Sequence, residues 1–272
     1  MLGYTRFCGM DDVLQPLKMF KFEQCVCSLW ILERGVPNLI GSGTLLKIKR
    51  STFLITAAHV IANAGTQQLL MPGSEGLIKI SGIGKTTQSC QTNTQNDRTD
   101  TAIVLLDEEI AKIVETLYKS LPIAFVDVND SWSPKKAYAF FGFPWRKGGI
   151  ENNSVLVEPP IYIYQSLTIA ETDFTPIGLS TEMHIAIHFD LRHAFDADKR
   201  RYLTAPNPQG MSGGAVWSFV PIEINGEQML TRRLVGIAIE YIASRRVLVG
   251  TRINAALEGV RIISPCLAQF VP

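Results

Sequence analysis

The segment QGMSGGAVW (209–217) places a serine among glycines, directly before an apolar run. A nucleophilic serine needs an exposed hydroxyl and backbone N–H groups directed at the oxyanion that forms on the substrate. Gly210 and Gly214 permit the tight backbone that this arrangement requires. We therefore predict that Ser212 is a nucleophile and that the N–H groups of Gly210 and Ser212 form an oxyanion hole. The alternative is an ordinary glycine-rich turn.

Two further segments carry residues that can activate a serine hydroxyl. In TFLITAAHVI (52–61) a strand-like run ends in two alanines and His59, and in RTDTAIVLL (98–106) Asp100 precedes an apolar run. A histidine can take the hydroxyl proton, and an aspartate that accepts its Nδ1–H bond fixes the tautomer. Considered alone, His59 would be a structural histidine and Asp100 a turn cap. We prefer Asp100 to Asp97 because the apolar run that follows it would hold it rigidly.

Together, TAAHV, DTAIVLL and GMSGG resemble the histidine, aspartate and serine motifs of the trypsin/chymotrypsin-like serine proteases, in that family's chain order. GSGTLL (41–46) and RLVGIAIEY (233–241) resemble its usual strands, so the resemblance covers roughly residues 24 to 262. It implies a catalytic triad of His59, Asp100 and Ser212, with the first two on one β-barrel and the serine on a second. Within the family, the chain is most similar to intracellular, disulfide-free bacterial peptidases.

Two positions depart from the pattern of the secreted digestive members. Val60 stands where they have a cysteine, and Met211 stands where they have an aspartate that pairs with a newly cut N-terminus. No processing site of the Ile-Val-Gly-Gly kind precedes the first predicted barrel. Activation through that salt bridge is therefore not expected. We hypothesise that the oxyanion loop is either preformed or ordered by a partner or ligand.

The resemblance also assigns candidate substrate-binding residues. Pro206, six residues before the serine, occupies the base of the first pocket, where an aspartate would select Arg or Lys. Ala238, Ile239, Glu240 and Tyr241 are expected to form the pocket wall and to pair with an extended substrate. Glu240 either places a negative charge in the pocket or faces solvent. We favour solvent because charged side chains are mostly exposed.

A second polar cluster lies in EMHIAIHFDLRH (182–193), where alternation places His184, His188 and Asp190 on one face of a strand. Two histidines and a carboxylate are a donor set for a divalent metal. We prefer the alternative, in which these residues form the solvated face of a strand whose other face is buried, and we therefore predict no metal and no other cofactor.

The elements that must position these residues are predicted to be strands. Short apolar runs separated by Gly, Pro, Asn and Ser favour strands over helices. They fall into two sets of six, at 26–33, 39–49, 52–58, 67–71, 77–81 and 101–106, and at 136–143, 155–164, 182–191, 214–220, 232–242 and 245–253. We predict an all-β fold of two packed six-stranded antiparallel β-barrels, whose interface forms a cleft.

Two helices accompany the predicted strands. Apolar residues recur at spacings of three and four over 107–121, which predicts a helical insertion between the two barrels. A short C-terminal helix is predicted at 254–260, with Asn254 as its N-cap. The predicted organisation is an N-terminal extension over 1–20, a first barrel with the helical insertion over 21–121, a linker over 122–135 and a second barrel with the C-terminal helix over 136–272.

Composition limits the partners and the compartment. The 272 residues carry a net charge of +1, so neither nucleic acid nor an anionic membrane is an expected partner. No apolar run reaches the length of a transmembrane helix, and the first residues lack a secretory signal pattern. The five cysteines fit neither a zinc site nor a disulfide framework, which predicts free thiols and a cytoplasmic location: Cys8, Cys25, Cys27, Cys90 and Cys266.

These observations predict a serine endopeptidase that cleaves protein or peptide substrates through an acyl-enzyme, and whose activity is restrained by narrow specificity or by an activating protein partner. One alternative is a catalytically silent, protease-like binding module, because fold similarity alone does not establish activity. Another is an esterase or other acyl hydrolase that uses the same triad. The presence of all three triad residues and of both glycines favours an active protease.

Overall fold

The computed structural model describes residues 4–8, 21–86, 99–144, 161–196, 200–224 and 227–272. The strands are β1 Tyr4–Cys8, β2 Val26–Glu33, β3 Val36–Ile48, β4 Ser51–Thr56, β5 Leu70–Gly73, β6 Gly76–Lys79, β7 Gly82–Thr86, β8 Ala102–Leu106, β9 Leu121–Pro122, β10 Ala137–Gly142, β11 Ile161–Leu167, β12 His184–His188, β13 Ala194–Asp196, β14 Arg201–Leu203, β15 Ala215–Ile224, β16 Glu227–Ile242 and β17 Val247–Arg252. The α-helices are α1 Ala58–Ala64, α2 Glu108–Leu117 and α3 Asn254–Ile263. Short 3-10 helices lie at Phe22–Cys25, Ile123–Phe125, Glu171–Asp173, Thr175–Ile177, Leu191–His193 and Pro265–Phe270.

The first sheet has the strand order β6-β5-β2-β3-β4-β8-β7, and β9 pairs in parallel with β3. All the other pairings of this sheet are antiparallel. A register shift between Leu29 and Trp30 bends β2 against β3, and a bulge of this kind increases local twist. The central strand β4 is almost wholly buried, which its apolar and β-branched sequence favours.

The second sheet has the strand order β12-β17-β16-β15-β10-β11-β1-β13-β14. It is antiparallel except where β1 pairs with β11 in parallel. Register shifts occur between Val216 and Trp217 and between Ala238 and Glu240. The second shift leaves Ile239 without a paired residue on β17.

One apolar cluster joins the two sheets. Phe53 and Ile55 of β4 belong to it together with Phe141 of β10 and Trp217 of β15. The Trp217 and Phe141 rings are 5.8 Å apart between centroids. Helix α3 follows the second sheet in sequence but packs on the first, where a Cβ on Gly259 would lie 2.5 Å from Ile103. The shared core fixes the two sheets against each other.

The all-β, two-sheet architecture predicted from the sequence is confirmed, as is a short C-terminal helix. The sheets contain more than the two sets of predicted strands, eight and nine respectively among the described residues. The additional short strands include β7 and β9, which glycine and proline obscure in the sequence. Among the described residues, no helix combines the length and the apolar character needed to cross a membrane.

The predicted N-cap of helix α3 is wrong. The cap position is Ile253, which makes no side-chain cap hydrogen bond, and Asn254 is the first helical residue. Its side-chain amide donates instead to the carbonyl of Val128, at 3.3 Å. The tertiary contact with the segment between the sheets replaces the local cap.

A buried charged cluster anchors that segment to the second sheet. The side chain of Asp130 is only 2% exposed. It accepts hydrogen bonds from Arg252 at 2.9 Å, from the Tyr138 hydroxyl at 2.9 Å and from Lys136. Burial and the neighbouring carboxylate of Asp130 raise the pKa of Tyr138, so the phenol stays protonated and acts as a donor. A buried carboxylate with three donors is satisfied, and it supplies the counter-charge for the buried Arg252.

We expect Asp130→Asn to lower the free energy of unfolding by about 3 kcal/mol or more, because it leaves Arg252 buried without its counter-charge. Urea denaturation measures this value. Glu108→Gln is the matched control, because Glu108 forms an exposed pair with Lys112 and its loss should leave stability unchanged. Equal midpoints for the two variants would contradict the anchoring role.

Candidate active site

His59 lies in the first turn of helix α1. The prediction that the strand continues through 58 is wrong, because β4 ends at Thr56 and Ala58 begins the helix. The first helical N–H groups need acceptors that the helix itself does not supply. Asp100 supplies them: its carbonyl oxygen accepts from the N–H of Ala58 at 3.1 Å, and its Oδ1 accepts from the N–H of His59 at 2.9 Å. Asp100 therefore caps a helix that is distant in sequence.

The second carboxylate oxygen of Asp100 holds the imidazole. Oδ2 lies 2.5 Å from Nδ1 of His59, while the two side chains are 26% and 40% exposed. A proton on Nδ1 in this contact leaves Nε2 as the basic nitrogen of the neutral ring. Among the residues that the structure describes, Nε2 has no hydrogen-bond partner. Asp97, the competing aspartate, lies outside the described residues.

Ser212 lies in a tight loop between Pro208 and β15. Gly210 and Gly213 have φ values of 96° and 91°, in the region that favours glycine. The N–H groups of Met211 and Gly214 donate to the carbonyls of Pro208 and Met211, each at 2.9 Å. These bonds set two consecutive turns, over 208–211 and 211–214, and Ser212 lies within the second.

Two N–H groups of this loop have no partner among the described residues, those of Gly210 and Ser212. The neighbouring N–H groups of 209, 211, 213 and 214 all donate to protein acceptors. Gly210 is a buried residue and Ser212 a half-buried one, and most backbone N–H groups in such positions have partners. The unpartnered pair coincides with the two donors that the sequence predicted for an oxyanion hole.

The hydroxyl of Ser212 donates to the carbonyl oxygen of Ile239 at 2.8 Å. The register shift between Ala238 and Glu240 leaves Ile239 without a paired residue on β17, so its carbonyl is free to accept this bond. Within the described part of the chain, no hydrogen bond joins the hydroxyl to His59.

The two halves of the site meet at Gly41 on β3. A Cβ at Gly41 would lie 2.7 Å from both methyl groups of Val60, the residue after His59, and 3.2 Å from the carbonyl oxygen of Ser212. Only glycine permits this approach without displacing one side or the other. The structure therefore brings the elements that carry His59, Asp100 and Ser212 to one junction between the sheets.

The predicted substrate-binding residues lie near the serine. The backbone of Ala238 bonds to the loop in both directions, accepting from Gly213 at 2.7 Å and donating to Gly214 at 2.8 Å. Ala238 and Ile239 are buried, whereas the side chain of Glu240 is exposed, in agreement with the solvent-facing interpretation. Their part in binding substrate stays a prediction.

An aromatic network surrounds the other two predicted substrate-binding residues. The Tyr164 hydroxyl donates to the carbonyl of Pro206 at 2.6 Å, and the Tyr164 ring stacks on Phe189 at 4.8 Å. The Tyr241 hydroxyl donates to the carbonyl of Phe189 at 3.3 Å, and burial raises the pKa of Tyr241. Aromatic side chains therefore contact the backbone at Pro206 and at Phe189.

The histidine-rich segment has other partners. His184 is buried, with Nδ1 close to the backbone of Ser180, while His188 is exposed. Asp190 accepts hydrogen bonds from the backbone N–H of Arg192 and from Arg246. No group of potential metal ligands occurs among the described residues. The preferred interpretation of a solvated face is wrong at His184 and Ala186, which are both buried. The backbone of Ser180 contacts the His184 ring, and Ala186 belongs to an apolar cluster with Ile169 and Leu179.

Three buried hydroxyl groups next to the loop escaped the sequence analysis. They belong to Ser42 and Thr44 of β3 and to Thr56 of β4, and all three side chains are buried. The available signal was a serine and two threonines inside otherwise apolar strands. Buried hydroxyls need partners. Ser42 and Thr44 donate to carbonyls of the loop that carries Ser212, whereas Thr56 donates to the carbonyl of Ser42 on the neighbouring strand.

Comparison with solved structures identifies the fold. The thermostable serine protease AL20 from an extremophilic microorganism aligns over 89% of this chain and 98% of its own, at 13% identity and a TM-score of 0.52. The protease Anisep from Arthrobacter nicotinovorans aligns over 89% of this chain and 96% of its own, at 12% identity and a TM-score of 0.53. The chain thus has the chymotrypsin-like double-barrel fold of trypsin-like serine proteases, as predicted.

The similarity also extends to a longer protein. The serine endoprotease from Yersinia pestis aligns over 91% of this chain, at 16% identity and a TM-score of 0.48, and this chain spans 64% of its length. No protein-family model matches the chain, and no curated protein sequence does. The fold is therefore established by structure, and the chemistry is argued from the site residues themselves.

We expect Gly213→Ala to destabilise the protein by about 3 kcal/mol or more, since a strained backbone and a steric clash act together. A Cβ there would lie 2.0 Å from the carbonyl oxygen of Ser42 and 2.2 Å from the hydroxyl of Thr56. Gly35→Ala is the control, because Gly35 has a similar φ of 81° and open space around it. Its cost should be about 1 kcal/mol. Equal losses in urea denaturation would show that the close sheet contact is unimportant.

Proposed function

We propose that the chain is a serine endopeptidase with His59, Asp100 and Ser212 as its catalytic triad. The observation that carries the proposal lies in the loop that bears the serine, where the N–H groups of Gly210 and Ser212 have no partner in the described part of the chain. The neighbouring N–H groups of the loop are all engaged, so two open donors beside the serine fit a role in binding an oxyanion.

The chemistry follows from these positions. Ser212 Oγ attacks the carbonyl carbon of the peptide, and its proton passes to Nε2 of His59. The carbonyl π electrons move to oxygen, where the N–H groups of Gly210 and Ser212 bind the developing charge. Protonated Nε2 then gives its proton to the departing amine, leaving an acyl-enzyme. Water, deprotonated by His59, hydrolyses the ester and restores the serine.

Asp100 has two parts in this scheme. Its Oδ2 accepts from Nδ1 and stabilises the imidazolium that forms during proton transfer. Its Oδ1 and carbonyl oxygen hold the first N–H groups of helix α1, so the backbone of His59 is fixed by the same residue. The carboxylate therefore orients both the ring and the helix that carries it.

Reaction requires the serine hydroxyl to leave its present acceptor. In the structure it donates to the Ile239 carbonyl, so a rotation about χ1 must bring it to Nε2 of His59. An extended peptide beside β16 would offer an N–H to that same carbonyl. Substrate binding would then displace the hydroxyl and release it to the base.

The second candidate function is a catalytically silent binding module. The bond from Ser212 to Ile239, in place of one to His59, is the observation that favours it. The presence of the complete His59–Asp100 contact and of both oxyanion donors favours the enzyme. The two candidates differ in one measurable property, the reactivity of the serine.

The proposed compartment and partners follow from the sequence and from the cysteines. Cys25 and Cys27 are buried free thiols, and Cys266 is an exposed one, which supports a reducing environment such as the cytoplasm. Burial raises the pKa of Cys25, so its thiol stays protonated. A protein or peptide is the proposed substrate.

We expect a fluorophosphonate probe to add once to the wild-type chain and not at all to Ser212→Ala, because removal of a triad serine costs about a million-fold in rate. Intact mass spectrometry measures the adduct. Ser133→Ala is the control, since Ser133 is an exposed serine outside the site and its loss should leave labelling intact. Absence of an adduct on the wild type in native-host lysate would favour the binding module.

We expect Asp100→Asn to slow labelling by about 10⁴-fold, because an amide that donates to Nδ1 stabilises the wrong tautomer. Its Oδ1 can still accept from the His59 N–H, so the fold should survive, which thermal unfolding checks. Asp173→Asn, at an exposed position, should label at the wild-type rate. Normal labelling of the Asp100→Asn variant would remove Asp100 from the proposed triad.

A further inference from the structure

The loop over 210–213, here called the oxyanion loop, belongs to the second sheet but is held by hydroxyl groups of the first. Ser42 donates through Oγ to the carbonyl of Gly210 at 2.8 Å, and Thr44 donates through Oγ1 to the carbonyl of Gly213 at 3.1 Å. The backbone N–H of Ser42 donates to the carbonyl of Ser212 at 2.8 Å. Three of the four loop carbonyls are therefore bound by β3.

The remaining loop carbonyl, that of Met211, accepts from the N–H of Gly214 at 2.9 Å. Every carbonyl in the oxyanion loop thus has a donor, while the N–H groups of Gly210 and Ser212 have none among the described residues. A loop with all its carbonyls engaged has none available to rotate toward the two free N–H groups. This pattern keeps the donors open to a substrate oxygen.

Ser42 occupies the centre of this arrangement. Its hydroxyl donates to Gly210 and also accepts from the backbone N–H of Phe143, at 2.9 Å, where β10 ends. Its carbonyl oxygen accepts from the hydroxyl of Thr56 at 2.7 Å, three residues before His59. One residue thereby contacts the oxyanion loop, the second sheet and the strand that leads to the proposed base.

We infer that Ser42 is a positioning residue that holds the oxyanion loop in its donor-open conformation as a consequence of folding, without an N-terminal cut or an activating partner. The inference rests on the proposed function of the site and specifies how that site is regulated. Met211, buried among apolar side chains with 2% exposure, offers no charge for a salt bridge to take over this task.

The test compares the saturation kinetics of fluorophosphonate labelling for the wild type and Ser42→Ala. We expect the maximal labelling rate to fall about 100-fold, the scale of losing one oxyanion donor, with the half-saturating probe concentration unchanged. Ser218→Ala is the matched control. Ser218 is a fully buried serine of β15, and its hydroxyl has no partner among the described residues, so its removal should leave labelling unchanged.

A second readout is independent of activity. Amide hydrogen exchange of a peptide covering 208–214 should be faster in Ser42→Ala and unchanged in Ser218→Ala, because the loop loses an anchor only in the first variant. If Ser42→Ala does not fold, Ser42→Cys replaces it, since a thiol of comparable size is a weaker donor and should give a smaller loss in the same direction.

The outcomes distinguish a failure of the inference about Ser42 from a failure of the proposed function. A wild-type adduct at the mass of the uncut chain, with slow labelling and faster exchange in the Ser42 variant, supports the inference. Wild-type labelling that appears only after N-terminal cleavage, or a Ser42 variant with normal labelling and exchange, overturns it. A wild type that never labels overturns the proposed function, and the exchange data then decide the positioning role alone.

Discussion

The hydrogen bond from the N–H of Ser42 to the carbonyl of Ser212, at 2.8 Å, is the contact on which the site depends. It joins β3 of one sheet directly to the loop of the other, backbone to backbone. Such an approach leaves no room for side chains, and Gly41 and Gly213 are the residues that make room for it. Because His59 follows β4 of the first sheet and Ser212 precedes β15 of the second, any relaxation of this junction would separate the proposed base from the proposed nucleophile.

Stability and chemistry share residues at this junction. Asp100 caps helix α1 through Oδ1 and holds the imidazole through Oδ2, so one carboxylate fixes both the helix end and the ring. The buried hydroxyls of Ser42, Thr44 and Thr56 satisfy carbonyls that burial would otherwise leave unpaired. The N–H groups of Gly210 and Ser212 are the exception, because they have no partner among the described residues, and the proposed role as oxyanion donors accounts for them.

The sequence predicted the features that local pattern determines. Alternation and apolar runs indicated two sets of strands, and glycines around Ser212 indicated a tight turn with its donors exposed. It did not predict that helix α1 begins at Ala58, because the cap comes from Asp100, 42 positions further along the chain. The burial of His184 and the partners of Ser42 escaped prediction for the same reason. Each depends on contacts with segments of the backbone that are distant in sequence. No local periodicity of the sequence indicates such a contact.

The hydrogen-bonding state of the site bears on the choice between a peptide and an ester. Two N–H donors are without acceptors among the described residues, while the carbonyl of Ile239 is held by the serine hydroxyl. A peptide offers a carbonyl oxygen to the two N–H donors and an N–H to the carbonyl of Ile239. That N–H would displace the serine hydroxyl from Ile239 and release it to His59. A simple ester offers only the carbonyl, so it would fill the donors and leave the serine on Ile239. The arrangement therefore supports the proposed peptide substrate over an ester, and in the proposed mechanism binding of the substrate backbone would release the serine hydroxyl to His59.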